Sequence, residues 1–178
     1  VVGLTQLCHG MKYVHRREEM KAAHPEIYAL RRGARATGFS DSGSPCLSSA
    51  ELFQKHVAYL RAVFDHFNEP MISIDLVDGF SGMGCGCEAC RVQITPERGM
   101  DGSMSDYVWG YLNRVAAALY ESHPDRFVSG LTYGAYRLPP EKLDRMAPNL
   151  AMIVIPPRMD MHDPEARRAQ EAFLAAWR

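Results

Sequence analysis

The sequence lacks an excess of charge of either sign. Its 20 Lys and Arg face 21 Asp and Glu, a net charge of −1. Near-neutrality argues against electrostatic binding to nucleic acid or to an anionic membrane surface. No apolar run approaches the ~18 residues needed to cross a bilayer. No internal repeat and no low-complexity tract is visible. There is no G-x-G-x-x-G, no P-loop, no G-x-S-x-G and no H-E-x-x-H, so nucleotide-driven, serine-hydrolase and zincin chemistries lack their motifs and no organic cofactor is expected. Val1-Val2-Gly3 opens the chain without a signal peptide, and Trp177-Arg178 closes it inside a helical pattern. We expect residues 1–178 to be a single segment of a larger protein, cut at both ends, whose compartment this stretch does not reveal.

What is present is ordinary globular material, 47% hydrophobic and 23% charged over 178 residues. Apolar runs alternate with helix-period stretches, the pattern of βα units and a parallel sheet. Strands are predicted at 1–7, 71–77, 127–133 and 150–155. Helices are predicted over 16–30 with a break at His24-Pro25, from Ser48, over 105–122, over 139–146 and from Asp163. Ser48-Ser49-Ala50-Glu51 has the form of a capping box with Ser48 as the cap. Four strand–helix units suit a small doubly wound sheet or part of a (β/α)8 barrel, which needs roughly 250 residues when complete.

Cys85-Gly86-Cys87-Glu88-Ala89-Cys90 is the strongest chemical signal. A C-x-C-x-x-C knuckle can direct three thiolates at one tetrahedral metal. Cys46 is the natural fourth ligand, with Cys8 as substitute, and zinc the expected ion. Disulfides among the same residues are the main alternative, one that suits an exported protein, and free thiols are the third. In each case the cysteines staple the long stretch 78–103, which carries little other regular pattern.

The second signal is Ser73-Ile74-Asp75-Leu76-Val77-Asp78-Gly79. Alternation places Ser73 and Asp75 on one strand face, and Asp78 falls at the strand's C-terminal end, where parallel α/β folds gather catalytic groups. A carboxylate there can act as a general acid, although Asp-Gly is also common turn chemistry. Asp75, inside a strand, must be paired or line a polar site. The third signal is polar and aromatic residues at other strand ends: His9 after the first strand, and Tyr133, Tyr136 and Arg137 after the 127–133 strand. Tyr rings stack on sugar faces, and Arg and His bind hydroxyls or carboxylates.

The motifs around His24-Pro25-Glu26-Ile27-Tyr28-Ala29-Leu30, Cys46-Leu47-Ser48-Ser49-Ala50-Glu51, Asp78-Gly79 with the cysteine knuckle, Ser105-Asp106 with Asn113, and Leu131-Thr132-Tyr133 together resemble the bacterial domain of unknown function 4838. That resemblance implies a partial (β/α)8 barrel of the glycoside-hydrolase type, similar to hexosaminidase and α-glucuronidase barrels, in an often exported glycan-degrading protein. Its partners would be a glycan or polysaccharide and the remainder of the parent barrel. Asp78 would be the acid/base carboxylate. The adjacent Asp-Glu pair of hexosaminidases is missing, since Gly79 follows Asp78. The second carboxylate that glycosidases require would be Asp75 or Glu88, or would lie outside this segment. A non-catalytic carbohydrate-binding barrel and a zinc-thiolate enzyme are the rival readings.

Overall fold

The computed structural model describes residues 10–15, 18–37, 44–76, 84–155 and 162–177. The expected first strand, and with it Cys8 and His9, lies outside these residues, as do Val77, Asp78 and Gly79.

Two short helices, α1 (Lys12–His15) and α2 (Glu18–Ala23), are followed by a single 3₁₀ turn at Pro25–Ile27. The expected helix over 16–30 is therefore short and ends at the His24-Pro25 break. Strands β1 (Leu30–Arg31) and β2 (Ala34–Arg35) form a small antiparallel hairpin. Its two corner residues, Arg32 and Gly33, have φ of +47° and +83°, the backbone that tight hairpins require. Helix α3 (Ala50–His66) buries Leu52, Val57, Leu60 and Phe64. Ser49 caps it, its hydroxyl accepting from the Leu52 amide at 3.3 Å. The cap is thus one residue later than the capping-box pattern implies, and Glu51 pairs instead with Lys55 at 3.0 Å.

Strand β3 (Met71–Ser73) comes next, then two four-residue helices, α4 (Glu88–Arg91) and α5 (Gly99–Gly102), within the stretch expected to be loop. Helix α6 (Ser105–Tyr120), β4 (Phe127–Thr132), β5 (Leu150–Val154) and α7 (Pro164–Ala176) complete the chain. The strands β3, β4 and β5 form a parallel sheet in that order, with Ser73 opposite Ser129 and Ser129 opposite Ala151. Pairing continues past β3, where the Ile74 amide donates to the Ser129 carbonyl at 2.9 Å. This is the parallel α/β segment that the strand–helix alternation predicts, with no closed barrel among the described residues.

Helix α6 organises the core. It buries Tyr107, Val108, Trp109, Tyr111, Leu112, Val115, Ala116 and Leu119. The sheet admits it closely at Gly130, where a Cβ would stand 2.7 Å from Leu112 and 2.9 Å from Trp109. The helix expected over 139–146 does not form. Side chains of α6 hold the stretch instead: Asp106 accepts from the Glu141 and Lys142 amides at 2.7 and 2.8 Å, and Asn113 accepts from the Ala147 amide just beyond it at 2.6 Å.

Candidate metal centre and the sheet edge

Three stretches converge to build the cysteine cluster. The chain at 44–46 runs beside 27–29, with the Ala29 amide on the Ser44 carbonyl and the Cys46 amide on the Ile27 carbonyl, both at 2.8 Å. The knuckle docks on the hairpin, where the Gly86 amide donates to the Leu30 carbonyl at 2.8 Å. Helix α6 closes the third side through Tyr107.

The sulfurs of Cys46, Cys85, Cys87 and Cys90 all lie within 4.8 Å of one another. Cys46 Sγ stands 3.6 Å from Cys90 Sγ and 3.8 Å from Cys87 Sγ. A disulfide needs about 2.05 Å, and all four cysteines are free. The disulfide alternative is thus not realised among the described residues. A metal tetrahedron with sulfur bonds of about 2.3 Å has edges of about 3.8 Å, so the separations of 3.6 and 3.8 Å are compatible with sulfurs that share one ion. The donor set fits a soft, thiophilic divalent metal.

Hydrogen-bond donors surround the sulfurs. Cys85 Sγ accepts from the Leu30 amide at 3.2 Å and the Cys87 amide at 3.5 Å. Tyr107 accepts from the Leu47 amide at 3.0 Å and donates its hydroxyl to Cys90 Sγ at 3.1 Å. Ser48 Oγ accepts from Gln93 Nε2 at 3.0 Å and lies 3.1 Å from Cys90 Sγ. These contacts shift the pKa values of the thiols. The hydrogen bond from Cys46, then that from Cys85, holds Cys90 well below the usual thiol range, with Ser48 and Tyr107 adding to the effect. Cys46 is driven up, first by its bonds to Cys85 and Cys90 and then by burial. Burial is the largest cause raising Cys87 and Tyr107. A divalent cation would replace the protons that the sulfurs share.

A family model described as a domain of unknown function (DUF4838) matches residues 2–178. The chain belongs to the DUF4838 family. No curated protein and no solved structure matches it. Three cysteines of this DUF4838 chain are visible as a set from the knuckle spacing, and Cys46 as the candidate fourth from its place ahead of α3. Ser48 and Tyr107 are not; Tyr107 is 17 residues from Cys90 and on a helix whose pattern announces only core.

The other candidate residues sit at the sheet. Asp75 is 1% exposed. Its Oδ2 accepts from the Ser73 hydroxyl at 2.8 Å, and its Oδ1 accepts from the Leu131 amide on β4. The carboxylate thus ties the end of β3 to its neighbour. Tyr133, one residue past β4, is 44% exposed, whereas Tyr136 is buried and its carbonyl accepts from Trp109 Nε1 at 2.8 Å. The Arg137 guanidinium lies over the Phe173 ring, 4.4 Å from its centre, and the Arg137 carbonyl accepts from Trp177 Nε1 at 3.1 Å. Arg137 therefore joins the β4 end to α7. Of the aromatic and cationic residues expected after β4, Tyr133 alone presents a ring substantially open to solvent.

Proposed function

We propose that this DUF4838 segment belongs to a glycan-cleaving protein whose sugar site lies at the C-terminal edge of β3, β4 and β5, and that its cysteine cluster is a structural zinc site. The observation that carries the first part is the parallel register. It sends the Asp75-bearing end of β3 and the exposed Tyr133 after β4 to one side of the sheet. Asp78, two residues beyond Leu76, is the general acid of this reading. Tyr133 offers a stacking face, and His9, expected to line the same site, lies outside the described residues. Asp75 acts as a positioning residue, because both its oxygens are engaged in joining β3 to β4. The resemblance to glycoside-hydrolase barrels supports the reaction class.

For the metal, four thiolates fill a tetrahedron and leave no position for substrate or water, which favours a structural role over a zinc-thiolate enzyme. Two amides and two hydroxyls offset the surplus negative charge that four thiolates place on a divalent ion.

The test is reducing-sugar release from a polysaccharide panel by the full-length protein, with Asp78→Asn alongside. Release that the substitution abolishes supports the reading. Release that it leaves unchanged refutes Asp78 as the acid. The engagement of both Asp75 oxygens also favours a second reading, a barrel that binds glycans without cleaving them. Saturable glycan binding with no product would establish that one.

A further inference from the structure

We infer that Cys87 is the reactive ligand of the metal centre, the sulfur that a peroxide or a soft electrophile reaches first, and that its oxidation releases the ion. This rests on the zinc reading above. The four sulfurs are not equivalent. Cys46, Cys85 and Cys90 are 4%, 1% and 0% exposed, whereas Cys87 retains partial access to solvent. Shielding by hydrogen bonds follows the same division. Cys85 holds two amides. Two hydroxyls lie beside Cys90: Tyr107 donates to its sulfur at 3.1 Å, and Ser48 Oγ, also 3.1 Å away, accepts from it in the thiol form. Ser48 accepts from Gln93, and Tyr107 accepts from Leu47, which leaves each hydroxyl proton for the sulfur once Cys90 is a thiolate. Among the described residues, no hydroxyl donates to Cys87. Donors draw charge out of a thiolate and blunt its attack, and burial blocks approach. None donates to Cys46 either, but Cys46 is buried, so of the four it is Cys87 that combines weak shielding with access to solvent.

The chemistry that follows draws on a neighbouring sulfur. The Cys87 thiolate attacks a peroxide oxygen; an S–O bond forms, the O–O bond breaks, and hydroxide (or alkoxide) leaves. Cys87 is then a sulfenic acid, oxidised by two electrons while the peroxide is reduced. Cys46 Sγ, 3.8 Å away, attacks the Cys87 sulfur and expels hydroxide to give a Cys46–Cys87 disulfide. The centre has then lost two of four ligands, and the ion leaves. The hairpin, the knuckle and the start of α3 would lose their common anchor together.

The experiment treats the zinc-bound protein with substoichiometric N-ethylmaleimide, and separately with hydrogen peroxide. Zinc release is followed with a metallochromic indicator, and the modified cysteines are mapped by peptide mass spectrometry. Metal content is measured before treatment. Maleimide should label Cys87 about tenfold or more ahead of the other three, the margin expected from one or two hydrogen bonds to a charged sulfur plus burial. Zinc should leave in step with labelling, and peroxide should yield the Cys46–Cys87 disulfide. In Tyr107→Phe, Cys90 should gain label relative to the wild type. Zinc present with all four cysteines labelled at similar rates, or with Cys90 labelled first in the wild type, overturns the inference and leaves the zinc reading standing. Protein that carries no zinc before treatment overturns both.

Discussion

Cys46 Sγ and Cys90 Sγ meet at 3.6 Å although 44 residues separate them in the chain. Between them lie all of α3 and β3, so the contact closes the first strand–helix unit on itself. Two buried sulfurs at that separation, joined by no covalent bond, are placed to share an ion. Such an ion would link the hairpin, the start of α3 and the knuckle after β3. Metal affinity then becomes folding free energy.

Metal removal should therefore destabilise the fold. At free zinc 1,000 times above its Kd, binding contributes about 4 kcal/mol. A strong chelator should lower the urea midpoint by a corresponding amount in wild-type protein. In Cys90→Ser, which should already lack the ion, chelator should change nothing.

Tyr107 should matter through its hydroxyl. Tyr107→Phe keeps the ring in the core but removes the donor to Cys90 and strands the Leu47 amide. Zinc affinity should fall about 10- to 100-fold, the usual effect of losing a partner behind a ligand. Competition against a chromophoric chelator measures it. Unchanged affinity would show that the hydroxyl does not support the ligand.

The buried pair His56 and Tyr111 makes stability depend on pH. His56 Nδ1 meets the Tyr111 hydroxyl and His56 Nε2 lies 3.3 Å from the Met11 carbonyl. Burial pushes the imidazole pKa down from 6.5 to about 4, against the opposing pull of that carbonyl. The unfolded chain thus binds a proton that the folded chain refuses between those two values. The stability contributed by neutral His56 is complete above pH 6.5 and lost as pH falls towards 4, about 3 kcal/mol in all. Urea unfolding at several pH values, compared with His56→Phe, isolates the effect. A variant with the same acid slope as the wild type would rule His56 out.

Gly130 is required by the approach of α6 to β4. A Cβ there would stand 2.7 Å from Leu112 and 2.9 Å from Trp109. Gly130→Ala should cost about 1–3 kcal/mol by overpacking. Leu112→Ala in the same chain should recover part of that loss in a double-mutant cycle.

Asp75→Asn keeps the shape of the side chain but turns one acceptor into a donor facing either the Ser73 hydroxyl or the Leu131 amide. We expect a loss of about 1–3 kcal/mol in unfolding free energy. A variant as stable as the wild type would show that the carboxylate does not tie β3 to β4.

Much of this could be read from the residues because the signals are local. The knuckle spacing brings three sulfurs together over six residues, and Cys46 stands just ahead of a recognisable helix start. An in-strand carboxylate such as Asp75 had to find partners, and it found them in Ser73 and Leu131. The errors share one cause, side chains committed to distant partners. Ser48 has the right spacing for a cap, but its hydroxyl serves Cys90 and Gln93, so Ser49 caps α3 instead. The stretch 139–146, helical by pattern, is tied instead to α6 through Asp106 and, just beyond it, Asn113. Tyr107 reads as one more core aromatic, since nothing local to it mentions sulfur.

The most direct test of the zinc centre is the metal content of the protein as purified, measured by native mass spectrometry and elemental analysis with Cys46→Ser alongside. The account predicts one zinc per chain in the wild type and none in the variant. Wild-type protein without metal, or a variant that keeps its zinc, would contradict it.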